Sequence, residues 1–280
     1  MQTVNTVAEL RATVKAWRSA GQRVALVPTM GNLHAGHLAL VQEAQKQADR
    51  VVVSIFVNPT QFGVGEDFAS YPRTEQEDRD KLNAAAADLL FQPTIADVYA
   101  PDAQTIVSVS ALSKLYCGAS RPGHFDGVAT VVCKLFNMVQ PDCALFGLKD
   151  FQQLTIIRTM VRDLNSPVDI IGVDTVREAS GLAMSSRNGY LSAEEKTVAA
   201  KLYQALCGAR DAVLAGQLSY QEIEHRGLLF LQQSGFQPDY FSLCRSCDLQ
   251  KAGVDDLELV LLAAAKLGKT RLIDNVCFSR

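Results

Sequence analysis

The sequence lacks several features that would assign it to a functional class at once. Its 27 Lys and Arg residues nearly balance its 30 Asp and Glu residues, which leaves a formal charge of −3. The basic footprint of a protein that binds nucleic acid or an anionic membrane is therefore missing. Neither the dinucleotide fingerprint GxGxxG nor the P-loop GxxxxGK[ST] occurs. We expect no nucleic-acid partner and no membrane partner.

Targeting signals and long apolar runs are also missing. Residues 1–5 show neither the basic region nor the apolar run of a signal peptide. The apolar run at residues 259–265 is closed by Lys266 and is too short to span a membrane. The seven cysteines are scattered and odd in number, a usage typical of reduced thiols in a cytoplasm. These features predict a soluble, cytoplasmic protein.

One CxxC sequence is present, at Cys244 and Cys247. Such a sequence can be a redox pair or one half of a zinc site. No second CxxC or His pair accompanies it, so the favoured interpretation is two incidental thiols. We predict no metal site built from side chains.

The sequence has ample material for an α/β core. Hydrophobic residues make up 48% of the 280 residues, enough for one large unit or a main domain with a smaller one. Continuous apolar runs, each followed by an amphipathic stretch, are typical of parallel strands covered by helices. The pattern predicts strands at 23–27, 51–57, 88–91, 143–146, 168–173, 240–244, 257–263 and 271–274, and helices at 38–48, 74–87, 150–163, 193–215 and 219–234.

These elements predict an α/β fold with two domains. Residues 1–176 are expected to form a Rossmann-like, doubly wound parallel sheet. Long helices and a short β-rich end follow residue 189, so residues 177–280 are expected to form a smaller α+β domain. The boundary is placed between residues 176 and 189.

The clearest candidate site follows the first strand of this pattern, where residues 28–37 read PTMGNLHAGH. Ligands of open α/β sheets bind at the carboxyl ends of the strands, and the N–H groups at a helix N-terminus attract anions. His34 and His37 share one face of the first helical turn, and Gly36 lets a phosphate approach the backbone. Two imidazoles there can donate hydrogen bonds to phosphoryl oxygens.

Other interpretations of the two histidines are weaker. They could be ordinary surface residues near a turn, or a metal pair, although no carboxylate or Cys lies nearby to complete a metal site. The chain has only four histidines, so a pair in an HxGH sequence after a strand favours phosphate binding. An HxGH in this context is typical of α/β enzymes that transfer a nucleotidyl group from ATP, including small adenylyltransferases and class I aminoacyl-tRNA synthetases.

Five segments, in order, resemble the pantothenate synthetase family. They are residues 27–37, 56–62 (FVNPTQF), 120–128 (SRPGHFDGV), 146–154 (FGLKDFQQL) and 184–188 (MSSRN). The resemblance extends from about residue 24 to residue 191 and includes RLIDN at 271–275. Leu148 departs from the family, which usually has an acidic residue at this place, and the CRSC sequence at 244–247 lies outside its pattern.

The resemblance implies a homodimeric, cytoplasmic ligase that joins pantoate to β-alanine. It implies that ATP is used with Mg²⁺, through a pantoyl-adenylate, and that residues 177–280 close over the ATP site. It implies catalytic roles for His34, His37 and Lys149, with His37 the proton donor. The implied ATP contacts are Met30, Gly31, Asn32, Leu33, His34, Ala35, Gly36, His37, Gly147, Leu148, Lys149, Asp150, Val176, Met184, Ser185, Ser186 and Arg187. The implied substrate contacts are Gln61, for pantoate and β-alanine, and Gln153, for pantoate.

These residue types suit the chemistry. A carboxylate is already ionised at neutral pH, so its attack on the α-phosphate needs positive charge rather than a general base. Lys149, Arg187, the imidazoles and a metal ion can supply that charge. A primary amide offers a donor and an acceptor to the hydroxyls of pantoate. Without the flanking motifs, Gln61 and Gln153 would instead be interpreted as satisfied surface or helix-start residues.

Several alternatives stay open at this stage. Residues 185–187 have ordinary turn composition, and no GxSxG sequence supports a serine nucleophile. Arg121 and His124 lie in a Pro-Gly loop, and the sequence favours neither contact with ligand nor its absence. A tRNA synthetase core would need a longer chain with a basic domain. A non-catalytic nucleotide-binding module would not need two glutamines that bind substrate.

Overall fold

The structure is a computed structural model that describes residues 1–280. Its strands are β1 (Gln2–Val4), β2 (Val24–Thr29), β3 (Arg50–Ile55), β4 (Leu89–Phe91), β5 (Cys143–Gly147), β6 (Asp169–Val173), β7 (Gln237–Arg245), β8 (Glu258–Leu267) and β9 (Thr270–Ser279). Its helices are α1 (Val7–Ser19), α2 (Ala35–Gln47), α3 (Glu75–Ala84), α4 (Ile95–Val98), α5 (Cys117–Ser120), α6 (His124–Val139), α7 (Phe151–Asp163), α8 (Ala193–Ala199), α9 (Lys201–Ala215) and α10 (Tyr220–Gln233).

The chain forms two compact units. The first contains Met1–Leu148 and Ile156–Asp174, and the second contains Lys149–Thr155 and Thr175–Arg280. No helix is both long and apolar enough to cross a membrane.

The first unit is built on a six-stranded sheet in the order β1-β4-β3-β2-β5-β6. All five neighbouring pairs are parallel. The chain moves from β2 outward through β3 and β4, and it later returns to the other side of β2 with β5 and β6. The order therefore reverses between β2 and β5, which is the switch point where open α/β sheets bind their ligands. The predicted fold class is confirmed.

Strand β2 is apolar, and its place in the middle of the sheet keeps it away from solvent. Its residues from Val24 to Val27 are fully buried, as expected of a continuous apolar strand covered on both faces. Helix α2 packs on it through Leu40, Val41 and Ala44. This packing holds the loop between β2 and α2 at the carboxyl edge of the sheet.

Helix α6, whose residues His124–Val139 are mostly buried, was not among the predicted helices. Its polar residues recur at helical spacing from Asp126 to Asn137, so the sequence does carry the period of this helix. Gly127 lets this helix approach the short 3₁₀ turn at Pro59–Gln61. A Cβ atom there would lie only 2.4 Å from the carbonyl oxygen of Thr60. The close approach brings α6 against the segment that carries Gln61.

The second unit combines helices with a three-stranded antiparallel sheet in the order β7-β8-β9. Helices α9 and α10 pack on this sheet through a core that includes Leu206, Ile223 and Leu261. The single helix predicted at 193–215 is wrong in one respect, because the chain forms α8 and α9 with a break at Ala200. The N–H of Ala200 bonds to the carbonyls of both Lys196 and Val198, which tightens the turn at that point.

Candidate active site

The loop after β2 has a backbone shape that needs external support. Gly31 and Asn32 both have positive φ, at 81° and 50°, a region that few residues adopt without a specific reason. The carboxylate of Asp78, on α3, accepts hydrogen bonds from the backbone N–H groups of Asn32 at 2.8 Å and Leu33 at 2.7 Å. Lys81, one turn later, donates to the carbonyl of Leu33 at 2.9 Å. Helix α3 thus holds the loop that leads to His34.

The two histidines cap helix α2 reciprocally. Nδ1 of His34, the N-cap residue, accepts from the N–H of Gly36 at 3.1 Å, and Nδ1 of His37 accepts from the N–H of His34 at 3.3 Å. Their rings lie 4.1 Å apart between centroids, tilted by 36°. A nitrogen that accepts from a backbone N–H carries no proton, so each neutral ring carries its proton on Nε2. The first turn of α2 therefore presents two Nε2–H groups beside its backbone N–H groups.

A buried amide, Asn58, fixes the orientation of Gln61. Its Oδ1 accepts from the hydroxyls of Thr60 at 3.0 Å and Tyr99 at 2.9 Å. Its Nδ2 must then donate, and it does so to Oε1 of Gln61 at 3.1 Å and to the carbonyl of Gly127 at 3.2 Å. Since the backbone carbonyl of Gly127 can only accept, the end of the Asn58 amide that faces it is Nδ2.

The consequence for Gln61 is that its Nε2 group is the end turned towards the loop after β2. Nε2 donates weakly to the sulfur of Met30 at 3.3 Å, while Oε1 is engaged by Asn58. Gln61 itself is 9% exposed. The structure therefore brings Gln61 next to the first residue of the segment for which ATP contacts were expected. Burial raises the pKa of Tyr99, which keeps its hydroxyl protonated as a donor to Asn58.

Arg121 and His124 hold the chain around Gln61. Nδ1 of His124 lies 2.8 Å from the carbonyl of Gln61, and its Nε2 lies 3.0 Å from Nη1 of Arg121. Since the guanidinium only donates, Nε2 accepts and Nδ1 donates. Arg121 also binds the carboxylate of Glu66 through Nε at 2.7 Å and Nη2 at 2.5 Å. Its hydrogen bonds lower the pKa of Glu66.

Apart from Gly147 and Leu148, which lie in the first unit, the other predicted site residues belong to the second unit. Lys149 lies in the 3₁₀ turn Leu148–Asp150, between β5 and α7, and is half-buried. Gln153 is half-buried in the first turn of α7, whereas the neighbouring Gln152 is buried. The carbonyl of Lys149 accepts a hydrogen bond from the side chain of Asn275 at 2.9 Å.

The remaining predicted ATP contacts are joined by backbone hydrogen bonds. The N–H of Met184 donates to the carbonyl of Val176 at 2.9 Å. The hydroxyl of Ser185 accepts from the N–H of Arg187 at 3.3 Å and so caps the 3₁₀ turn Ser186–Tyr190. Asn188, which is 6% exposed, donates to the carbonyl of Ala183 at 3.1 Å. Hydrogen bonds therefore connect the residues of the segment from Val176 to Arg187 to one another.

The cysteines form no pattern that suggests a metal centre. Cys244 is buried in β7, Cys247 is exposed, and none of the seven cysteines forms a disulfide. No group of three or more His, Cys, Asp or Glu side chains is arranged to hold a metal ion.

Comparisons with known proteins identify the family of the chain. A family model described as pantoate–β-alanine ligase matches residues 2–277. The chain belongs to that family. A pantothenate synthetase from Shewanella loihica is 56% identical over 282 residues and 100% of both chains. One from Methylococcus capsulatus is 58% identical over 281 residues, covering 100% of this chain and 98% of the other.

Solved structures of the pantoate–β-alanine ligase family share the fold along the whole chain. The pantothenate synthetase of Thermus thermophilus is 46% identical, with a TM-score of 0.93 and 99% of each chain covered. The pantoate–β-alanine ligase of Francisella tularensis, in complex with β-γ ATP and β-alanine, is 31% identical, with a TM-score of 0.81 and coverage of 99% and 97%. The resemblance to the family that the five motifs indicated is confirmed.

Sequence reasoning missed three residues that position the site. Asn58 stands within a quoted motif, but its role depends on Tyr99 and Gly127, which are distant in the chain. Asp78 and Asn275 act on backbone groups 45 and 126 positions away. No local pattern marks such contacts. Asn275 stands within the quoted RLIDN sequence, but a buried amide does not show by itself which group it contacts.

Proposed function

We propose that this chain catalyses the ATP-dependent ligation of pantoate to β-alanine, which yields pantothenate, AMP and pyrophosphate. The observation that carries the proposal is the pair of imidazoles at the N-terminus of α2, each with its Nε2–H group as donor. Donors fixed in this way suit a phosphoryl group that gains charge during transfer. Membership of the pantoate–β-alanine ligase family supplies the identity of the acid and the amine.

In the first step, a carboxylate oxygen of pantoate attacks the α-phosphorus of ATP. The bond from that phosphorus to its bridging oxygen breaks, and pyrophosphate leaves. Charge grows on the phosphoryl oxygens, where His34 and His37 donate and where Lys149 and Arg187 add positive charge. We propose that His37 is the donor of this step, with its Nε2–H hydrogen-bonded to the departing pyrophosphate while the ring keeps its proton. The product is pantoyl-adenylate, an acyl group with a good leaving group attached.

The second step forms the amide. The free amine of β-alanine attacks the acyl carbon, AMP departs with the former carboxylate oxygen, and the nitrogen loses a proton. Gln61 presents its Nε2 group because Asn58 engages Oε1. It is thus suited to donate to oxygen atoms of pantoate and β-alanine. Gln153, near the start of α7, is proposed to bind pantoate as well.

The proposed ATP contacts lie in both units. They are Met30, Gly31, Asn32, Leu33, His34, Ala35, Gly36, His37, Gly147 and Leu148 in the first, and Lys149, Asp150, Val176, Met184, Ser185, Ser186 and Arg187 in the second. The proposal includes closure of residues 177–280 on nucleotide binding, assembly as a homodimer and a cytoplasmic location.

Mg²⁺ is part of the proposal as the partner of ATP. No cluster of three acidic, His or Cys side chains is arranged to hold it. Mg²⁺ keeps several waters and is commonly held by substrate phosphates with few protein ligands, so it does not need such a cluster. When bound there, it neutralises charge on the phosphoryl oxygens.

Two assays test the function and the order of its steps. AMP should form in quantity only when pantoate and β-alanine are both supplied. Labelled pyrophosphate should exchange into ATP with pantoate present and β-alanine absent, because the adenylate forms before the amine reacts. Exchange that requires β-alanine would contradict the adenylate step. Exchange supported instead by a proteinogenic amino acid would assign the chain to the synthetase class.

A further inference from the structure

Asn275 connects the C-terminal strand to the turn that carries Lys149. It lies on β9, is 6% exposed, and donates from Nδ2 to the backbone carbonyl of Lys149 at 2.9 Å. We propose that Asn275 is a positioning residue, which fixes the backbone at Lys149 so that the ammonium group meets the phosphates of ATP. The inference rests on the proposed function, which assigns Lys149 to those phosphates.

Hydrogen bonds assign the orientation of the Asn275 amide. The acceptor at Lys149 is a carbonyl oxygen, so the amide end facing it must be the NH₂ group. The opposite end, Oδ1, lies 3.9 Å from the thiol of Cys277, which can act as a weak donor. The backbone N–H of Asn275 donates to Oδ1 of Asp274 at 2.8 Å. The amide thus has little freedom to turn away from Lys149.

A buried ion pair holds the backbone of Asn275 in turn. Asp274 accepts two hydrogen bonds from Arg177, at 2.7 and 3.0 Å, and its side chain is 3% exposed. Nη2 of Arg177 also donates to the carbonyl of Asn275 at 3.4 Å. The guanidinium stacks on the ring of Tyr203 at 3.5 Å from the centroid. Paired fork geometry and stacking are the interactions that set arginine apart from lysine.

The same arginine supports the other ATP segment of the second unit. Nη1 of Arg177 donates to the carbonyl of Gly181 at 3.1 Å, within the turn that separates Val176 from Met184. Arg177 thus links this segment to Asn275 and, through it, to Lys149. The pieces of the second unit that are proposed to bind ATP depend on one hydrogen-bonded network.

The backbone at Lys149 depends on contacts with other segments, because the 3₁₀ turn that contains it is only weakly stabilised by its own hydrogen bonds. A single 3₁₀ turn has poorer hydrogen-bond geometry than an α-helix, and the lysine side chain is a flexible four-carbon stem. The position of its backbone therefore limits where the ammonium can reach. A misplacement of about 1 Å at a catalytic group can lower a rate by about 10²-fold.

The first test compares two variants with a matched control. Asn275→Ala removes the amide, and Asn275→Asp keeps its shape but replaces the donor by a carboxylate facing a carbonyl. Both should lower kcat by about 10- to 10²-fold, with a smaller change in KM for pantoate. The control is Asn137→Ala, since Asn137 donates to the carbonyl of Cys133 at the same 2.9 Å on the exposed part of α6. It should leave kcat unchanged.

A double-mutant cycle separates positioning from general destabilisation. If Asn275 acts through Lys149, then Asn275→Asp should change kcat less than twofold in a Lys149→Met background. Lys149→Met alone should lose about 10²- to 10³-fold. Equal effects of Asn275→Asp in both backgrounds would overturn the positioning role, because independent sites behave additively. A wild-type chain that forms no pantothenate would instead contradict the proposed function, so the two failures are distinct.

Some of these variants could turn over too slowly for kcat to be measured. The affinity for an ATP analogue that cannot be cleaved between the α- and β-phosphates can then replace kcat in the same four proteins. Non-additive losses of affinity support the inference, and additive losses overturn it. Far-ultraviolet circular dichroism of each protein verifies that the compared chains are folded.

Discussion

His34 and His37 each accept a backbone N–H on Nδ1, from Gly36 at 3.1 Å and from His34 itself at 3.3 Å. Each ring therefore performs two tasks with different atoms. Nδ1 completes the N-terminus of α2, and Nε2–H is the proposed donor to ATP. Substitutions can separate the tasks, since the side-chain oxygen of asparagine can take the place of Nδ1 but has no group at Nε2.

We expect His37→Asn to retain the fold and lose catalysis. The amide oxygen can still accept from the N–H of His34, so the unfolding midpoint should stay near that of the wild type. Loss of one preorganised donor should reduce AMP formation by about 10²–10³-fold. His37→Ala should lose the cap as well, which costs about 0.5–2 kcal/mol of stability. A folded His37→Asn chain with nearly full activity would exclude His37 from phosphate binding.

Asp78 should be needed for both stability and ATP affinity. It is 1% exposed and accepts from two N–H groups of the loop before His34. Asp78→Asn replaces one accepting oxygen with NH₂, which leaves a buried N–H unsatisfied at a cost of about 1–3 kcal/mol. Urea unfolding and ATP titration measure the two effects.

Asp80→Asn is the matched control for this change. Asp80 lies on the same helix, is exposed and accepts only from the exposed side chain of Gln76 among the hydrogen bonds described. Its substitution should change stability by less than about 0.5 kcal/mol. Equal effects of the two substitutions would show that the contact of Asp78 with the loop has no special role.

The fold was largely predictable because its signals are local. The β-branched run that became β3 and the apolar run that became β2 are continuous in the sequence, and parallel strands need such runs. The His34–His37 pair was found for the same reason, since both histidines fall in one helical turn. Helix α6 was not predicted, although its polar residues recur at helical spacing from Asp126 to Asn137.

The supports of the site were not predictable in the same way. Asn58, Asp78 and Asn275 act through contacts with residues that only the folded chain brings near. A buried polar residue signals that it has a partner, but it does not say which one. Arg121 and His124 illustrate the point, because the structure shows them holding the carbonyl of Gln61 and the carboxylate of Glu66.

The Glu66–Arg121 pair should make stability depend on pH in the acid range. Hydrogen bonds from Arg121 lower the pKa of Glu66 below its ordinary value. A carboxyl group with a depressed pKa in the folded state stabilises the fold above its unfolded pKa, and this contribution is lost as pH falls through the folded value. The urea concentration at the midpoint of unfolding should therefore fall further in the wild type than in Glu66→Gln when the pH is lowered from 7 to about 3. Equal losses in both proteins would exclude this ion pair as a source of acid sensitivity.

Two glycine-to-alanine substitutions should have opposite effects. At Gly127 a Cβ atom would lie 2.4 Å from the carbonyl oxygen of Thr60, and backbone atoms must move to admit it. Overpacking of this kind costs about 1–3 kcal/mol. At Gly208, in the exposed part of α9, a Cβ atom would meet nothing within 4 Å. Alanine there should stabilise the helix by about 0.5–1 kcal/mol.

The Gly127→Ala substitution should also affect KM for pantoate. The carbonyl of Gly127 accepts from Nδ2 of Asn58 at 3.2 Å, and the same Nδ2 donates to Gln61 at 3.1 Å. A shift of α6 away from Thr60 would disturb both bonds and the orientation of the Gln61 amide. We therefore expect KM for pantoate to rise several-fold in Gly127→Ala, while KM for ATP changes less and both constants stay unchanged in Gly208→Ala. A Gly127→Ala chain that is destabilised but keeps the wild-type KM for pantoate would show that the close packing of α6 serves only the fold.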